Sequence, residues 1–217
     1  MKRRTLPVAV ALAASAALLL TACGGGDEDT KASDKIAGTD SGDTTTSASP
    51  SASPASGQYP KVTLPSDVTN VFAGWKAGDP TKDDVLADAS RRIDALDYAI
   101  TESNADTPVL SYYYTGDALV GASQWVRNFV DSKKSMTGET RYFKPAVDVY
   151  ATGKATLTYC SFEGKAYVKD LKTGKAQKTP VTDRSYLLFV TRLEKSAKGV
   201  WRTATLTSER GNSKCTP

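Results

Sequence analysis

The stretch DPTKDDVLADASRRIDALDYAI, residues 79–100, decides the fold. Asp79 and Pro80 supply a side-chain cap followed by proline at the first helical position. Apolar side chains then recur at intervals of three and four residues: Val85, Ala89, Ile93, Leu96 and Ile100. This spacing predicts one long amphipathic helix that ends before Pro108. Four polar side chains are expected to face away from its buried side: Asp84, Asp88, Arg91 and Asp94.

A second long helix is predicted after a short run of tyrosines. Residues 110–114 end in three successive tyrosines, and a Thr-Gly-Asp turn follows, in which Asp117 is expected to cap the helix. The buried face of this helix is predicted from apolar residues at helical spacing: Leu119, Ala122, Val126, Phe129 and Val130. The helix is expected to end near Lys133.

From residue 140 onward the pattern changes to that of strands. Segments 142–152, 155–169, 184–194 and 200–207 are rich in Val, Tyr, Phe and Thr, and several alternate between apolar and polar residues. Glycine-containing turns are expected at 172–175 and 196–199. Helices followed by an antiparallel meander indicate an α+β fold, with two to three N-terminal helices packed on one face of a curved antiparallel sheet.

This layout resembles the NTF2-like, or cystatin-like cone, superfamily over about residues 60–210. The Asp79-Pro80 start of a long helix is similar to the first helix of those domains. The tetrapeptide GVWR, residues 199–202, resembles the glycine-x-tryptophan that opens their last strand. The resemblance implies a cone closed by helices. Enzymes with this fold, such as ketosteroid isomerase and scytalone dehydratase, place Asp, Tyr or His inside the cone.

The chain before the first helix divides into two parts of different composition. Residues 59–75 bring the first large apolar side chains and predict an extended lead-in that packs on the domain. Residues 24–58 are rich in Gly, Asp, Thr, Ser, Ala and Pro, and they hold too little apolar surface to offset the entropy of ordering. A disordered tether is therefore predicted up to residue 58, and the folded domain spans 59–217.

The N-terminus has the pattern of an exported protein. Residues 2–4 are Lys-Arg-Arg, and the apolar run of 13 residues at 8–20 is too short to span a bilayer of about 30 Å. The tetrapeptide LTAC, residues 20–23, resembles the lipobox of bacterial lipoproteins at all four positions. The resemblance implies a signal peptide at 1–22, an S-diacylglycerol cysteine at Cys23 and a further fatty acid such as palmitate. The expected location is the extracytoplasmic face of the cell membrane, and the alternative is an ordinary signal peptide with a chance cysteine.

Two cysteines remain once Cys23 is assigned to lipid. Cys160 and Cys215 are an even pair in an oxidising compartment, so a disulfide between them is predicted. Two free buried thiols are the alternative.

Composition excludes several classes of function. The formal charge of +4 falls to +1 without residues 1–22, which does not favour a nucleic-acid partner. The chain has no histidine, so the commonest general base, the Ser-His and Cys-His nucleophile systems and most zinc sites are absent. No cofactor-binding or metal-binding motif is present in the sequence. We therefore assign no catalytic residue, no metal ligand and no cofactor.

Five residues are candidates for lining a pocket inside the cone: Tyr112, Tyr114, Asp148, Tyr150 and Tyr159. The alternative is that the tyrosines are core and rim aromatics and that Asp148 is a surface carboxylate.

Three functions fit these observations. The first is a non-catalytic binding or interaction module of the cell envelope, held by its lipid anchor and taking an envelope protein or a small apolar ligand. The second is a small lyase or isomerase that uses a buried Asp or Tyr in the cone. The third is a structural component of the envelope. A filled cone favours the first function, whereas an apolar cavity around a buried Asp or Tyr favours the second.

Overall fold

The computed structural model describes residues 59–217. The helices are α1 (Pro80–Thr101), α2 (Pro108–Tyr113) and α3 (Gly116–Asp131). The strands are β1 (Val68–Phe72), β2 (Lys134–Ala151), β3 (Lys154–Asp170), β4 (Ala176–Gln177), β5 (Tyr186–Lys195) and β6 (Trp201–Arg210). The predicted signal peptide, Cys23 and the predicted tether lie outside the described residues. Within residues 59–217, no helix has both the length and the apolar character needed to cross a membrane.

The sheet confirms the α+β prediction. The strands lie in the order β1-β2-β3-β5-β6, and the short β4 pairs with β3. Strands β2, β3, β5 and β6 form a curved antiparallel meander. The predicted extended lead-in contributes β1, which runs parallel to β2 at the edge of the sheet. Strand β2 begins at Lys134, eight residues before the predicted segment 142–152, because its pairing with β3 continues that far.

Helix α1 begins as predicted and packs on the sheet. The Asp79 side chain accepts a hydrogen bond from the Lys82 backbone nitrogen at 2.9 Å. The prediction that Asp88 faces away from the core is wrong. Asp88 is buried, and its Oδ2 accepts a hydrogen bond from the Trp201 backbone nitrogen at 2.8 Å. The start of β6 lies against this turn of α1, which helical periodicity alone does not reveal.

A short helix lies between α1 and α3, and one further prediction about the helices needs correction. Tyr112 and Tyr113 belong to the short helix α2, which Pro108 opens, and Tyr114 follows it in extended backbone. The residue at the N-cap of α3 is Thr115, and Asp117 lies inside the first turn. There its carboxylate faces the positive end of the helix dipole, so it suits the start of the helix without capping it.

A bulge in β2 changes which side chains face the helices. The register shifts between Phe143 and Ala146, where β2 has one residue more than its partner β3. Lys144 has a positive φ of 50°, and Pro145, which cannot donate a ladder hydrogen bond, follows it. Because side chains alternate along a strand, one extra residue exchanges the two faces. Tyr142 therefore faces inward before the bulge, and Val147 packs against the same core after it.

A disulfide joins Cys160 to Cys215, as predicted, with their Cα atoms 5.5 Å apart. Cys160 alternates with the inward-facing Tyr159 on β3, so the bridge lies on the side of the sheet opposite to α1. The C-terminal segment that carries Cys215 also contacts β2, since the Lys144 ammonium donates to the Lys214 carbonyl at 3.0 Å. The bridge closes a loop of 55 residues and is expected to stabilise the fold by roughly 4 kcal/mol in the chain-entropy model.

Candidate functional site

A buried arginine lies between α1 and the sheet. The Arg92 Nη1 donates to the Tyr114 hydroxyl at 3.0 Å, and its Nη2 donates to the Tyr159 hydroxyl at 2.7 Å. All three side chains are buried. Burial raises the pKa of both phenols against the opposing effect of Arg92, so both hydroxyls stay protonated at neutral pH. The guanidinium of this α1 residue is thus held by two neutral partners, one on β3 and one directly after α2.

A carboxyl pair continues this polar interior along α1. Asn70 on β1 donates through its Nδ2 to Asp97 Oδ2 at 2.7 Å and to Asp94 Oδ1 at 2.9 Å. Burial raises the pKa of Asp97 to about 7, although the hydrogen bond from Asn70 acts in the opposite direction. Burial also raises the pKa of Asp94. We call Asn70, Arg92, Asp97, Tyr114 and Tyr159 the interior cluster.

Aromatic rings enclose the interior cluster on the sheet side. The Tyr159 ring stacks on Phe189 with centroids 4.8 Å apart and meets the Trp75 ring edge-on at 5.4 Å. Tyr142 lies 6.1 Å from Tyr159, and Phe72 stacks on Tyr142 at 5.2 Å. Aromatic rings therefore surround the Tyr159 side chain on the sheet side.

The similarities of this chain to known proteins are structural. No family model matches the sequence, and no curated protein is similar to it. A ketosteroid isomerase-like protein from Erwinia carotovora atroseptica is 18% identical, with a TM-score of 0.39 over 57% of this chain and 91% of that one. ActVI-ORFA from Streptomyces coelicolor is 13% identical, with a TM-score of 0.41 over 61% and 98%. Aln2 from a Streptomyces species is 11% identical, with a TM-score of 0.43 over 62% and 94%. The function of the site is therefore inferred from the residues of this chain alone.

An open groove adjoins the interior cluster. It has a volume of about 380 Å³ and is lined by residues of α1 and of the segment after β1: Phe72, Trp75, Lys76, Asp83, Leu86, Ala87 and Ser90. We call it the Trp75 groove. The Asp83 Oδ1 accepts a hydrogen bond from the Ala77 backbone nitrogen at 2.6 Å, which ties the segment to α1. Since Trp75 also touches Tyr159, its ring separates the groove from the interior cluster.

The structure brings only some of the predicted pocket residues together. Tyr114 and Tyr159 meet at Arg92 in the interior cluster. Tyr112 is half-buried on α2, where its ring lies 6.3 Å from that of Tyr59. Asp148 and Tyr150 are exposed on the opposite face of β2, because the bulge at Pro145 exchanges the two faces. Their assignment to the interior of the cone is therefore corrected.

Sequence reasoning missed Asn70, Arg92 and Asp97. A signal for two of them was present, since Arg92 and Asp97 fall among the apolar positions of α1, beside Ile93 and Ile100. A charged residue on the apolar face of a helix is either paired or placed at a site. Among residues 59–217, no group of three His, Cys, Asp or Glu side chains could hold a metal ion.

Proposed function

We propose that the protein is a non-catalytic binding module with an NTF2-like cone, held on the extracytoplasmic face of the cell membrane by lipid on Cys23. The observation that carries the first part is the filled interior. Both terminal nitrogens of Arg92 are occupied by phenol oxygens, and Tyr159 is stacked between ring neighbours. A general acid or base must come within hydrogen-bond distance of its substrate. The Tyr159 hydroxyl already accepts a hydrogen bond from Arg92, and its ring packs against Phe189 and Trp75.

Binding is proposed to occur in the Trp75 groove. Its volume of about 380 Å³ falls within the range of roughly 300–1,000 Å³ typical of small-molecule sites. Phe72, Trp75 and Leu86 supply apolar surface, whereas Lys76 and Asp83 supply one charge of each sign. This lining suits a small apolar ligand or an apolar side chain of an envelope protein.

The groove is tested by photocrosslinking in intact cells. A photoreactive amino acid at position 87 lies in the groove, and one at position 148 lies on the opposite face of the sheet as a matched control. The expected result is a discrete adduct from position 87, absent from position 148, and lost when Trp75→Ala is introduced. Equal labelling from both positions would contradict binding in the groove.

The anchor is tested separately with Cys23→Ser. Two or three acyl chains hold a protein firmly on a bilayer, because each buried methylene contributes about 0.8 kcal/mol. The variant is expected to leave the membrane fraction or to remain unprocessed, as seen by fractionation and mass spectrometry. Unchanged membrane retention of a processed chain would reject the lipid anchor.

A small lyase or isomerase is the second candidate, and the raised pKa of Asp97 favours it, since a general base works best near the ambient pH. The discriminating property is access to the Asp97 carboxyl group. Labelling with a water-soluble carbodiimide and an amine, mapped by mass spectrometry, should modify the exposed Asp148 and spare Asp97. Comparable labelling of both carboxyl groups would favour the enzyme.

A further inference from the structure

One end of the domain presents exposed apolar side chains beside lysines. Trp125 on α3 is 53% exposed, and Leu171 after β3 is 47% exposed. The Trp125 ring contacts that of the half-buried Phe129 with centroids 5.5 Å apart. We call the following residues the α3-end surface: Trp125, Phe129, Lys133, Leu171, Lys172 and Lys175.

Backbone hydrogen bonds hold the two halves of this surface together. The Leu171 nitrogen donates to the Lys133 carbonyl at 3.0 Å, and the Asp170 nitrogen donates to the Lys175 carbonyl at 3.0 Å. Lys134 and Asp170 are opposite each other in the β2–β3 register. The turn after β3 is therefore fixed against the residues that follow α3.

The charge of this end is positive. Lys133, Lys172 and Lys175 are exposed, and none of their ammonium groups lies within 4.0 Å of a carboxylate of the described residues. The neighbouring Asp170 carboxylate accepts hydrogen bonds from the Thr173 backbone and hydroxyl and from the Lys172 backbone. It is thus turned toward its own loop, and the lysines have no described carboxylate partner.

This combination fits an anionic lipid surface better than it fits a protein. Lysine is depleted in protein–protein interfaces, whereas tryptophan and lysine are both favoured at the boundary between water and bilayer. A lysine near an anionic bilayer contributes attraction, and an exposed indole inserts at the level of the headgroups. Exposed Trp125 and Leu171 supply the apolar part, and the three lysines supply the charge.

We propose that the α3-end surface binds directly to the surface of a bilayer that contains anionic phospholipids, with Trp125 among the headgroups. The proposal deepens the proposed function and rests on it only for the presence of a nearby membrane. Together with the proposed lipid anchor on Cys23, this contact would fix which side of the domain faces the membrane. Binding in the Trp75 groove is a separate property and is tested separately.

Vesicle binding by an unlipidated chain tests the proposal without the anchor. The chain is residues 23–217 with Cys23→Ser, and the vesicles are phosphatidylcholine alone or mixed equally with phosphatidylglycerol. Sedimentation with the mixed vesicles is expected, together with a blue shift of tryptophan emission. Trp201 is buried and Trp75 is half-buried, so Trp125 should dominate this shift, and Trp125→Phe should remove it.

Two triple variants with the same change of net charge locate the contact. Replacing Lys133, Lys172 and Lys175 by Gln should weaken partitioning about fivefold per lysine, or on the order of 100-fold in total. The control replaces Lys82, Lys154 and Lys198 by Gln. Lys154 lies at the opposite end of the β2–β3 hairpin. Because distant charges are screened beyond about 10 Å at 0.1 M salt, the control should weaken partitioning by less than about threefold.

Three results would overturn the proposal. The first is no binding of the Cys23→Ser chain to mixed vesicles at low salt. The second is equal weakening by the two triple variants. The third is binding to soluble polyglutamate as tight as to vesicles, without a shift of Trp125 emission, which would assign the surface to an acidic polymer or protein. None of these results bears on lipidation of Cys23, which the separate anchor experiment decides.

Discussion

Tyr159 and Tyr150 lie on adjacent antiparallel strands and have opposite environments. Tyr159 on β3 is 1% exposed and receives a hydrogen bond from Arg92. Tyr150 on β2 is 51% exposed. Each follows a β-branched residue in a strand rich in apolar side chains, so their local sequences are alike. What differs is the face of the sheet on which each ring falls.

The bulge in β2 accounts for this difference. Before the bulge, even-numbered side chains of β2 such as Tyr142 face α1. After the bulge, odd-numbered side chains such as Val147 and Val149 face α1 instead. A regular strand would have put Tyr150 on the same face as Tyr142. The inserted residue thus decides which side chains of β2 face α1, and it leaves Tyr150 on the exposed face. The contrast also predicts that equivalent substitutions on the two faces have unequal effects.

The largest difference is expected between Tyr159→Ala and Tyr150→Ala. Tyr159→Ala leaves a cavity against Phe189 and removes a partner of the buried Arg92, which together should lower the free energy of unfolding by about 5 kcal/mol. Tyr150→Ala should lower it by less than about 1 kcal/mol because the ring is half in water. Urea denaturation with the disulfide intact measures both. Similar losses would mean that the two faces are not distinguished as described.

The second comparison is between Asp97→Asn and Asp148→Asn. Here the substitution on the buried side is expected to raise the free energy of unfolding, whereas Tyr159→Ala lowers it. The pKa of Asp97 is raised from 3.8 to about 7 by burial. Between those values the unfolded chain releases a proton that the folded chain keeps, so this carboxyl group makes the fold less stable as pH rises through the window. Asp97→Asn removes the effect and should stabilise the protein at pH 8 by up to about 4 kcal/mol, but not below pH 4.

Asp148→Asn is the matched control on the exposed face, and it should change stability little at any pH. Unfolding free energies at pH 4, 6 and 8 for the two variants and the parent chain measure the trend. If Asp97→Asn gave a constant difference across this range, the carboxyl group would not be titrating in the folded interior.

The smallest expected difference is between Tyr114→Phe and Tyr150→Phe. Tyr114→Phe keeps the ring and removes one acceptor of the Arg92 guanidinium, so it should cost about 2 kcal/mol, as is typical of a hydrogen bond to a charged group. Tyr150→Phe removes an exposed hydroxyl and should cost close to nothing. Thermal unfolding resolves the two. An unchanged melting temperature for Tyr114→Phe would show that the hydrogen bond contributes nothing net to stability.

Local patterns in the sequence were sufficient for the outline of the fold. The cap and proline at residues 79–80 and the apolar spacing after them predicted the start and the buried side of α1. The alternation after residue 140 predicted the antiparallel meander, and the even cysteine pair predicted the disulfide. Each of these signals depends on residues close together in the chain or on a count, so no tertiary contact was needed.

The composition of the interior depended on contacts between distant parts of the chain. Arg92 meets Tyr159 across 67 residues, and Asp88 meets Trp201 across 113. Helical periodicity places Arg92 among the apolar positions of α1, but it could not identify the partners of Arg92 and Asp88, because these come from other elements. The exchange of faces at Pro145 likewise depends on how β2 pairs with β3. The sequence by itself determined the two long helices, the four long strands and their order, whereas only the packing of the sheet against α1 decided which polar side chains lie inside.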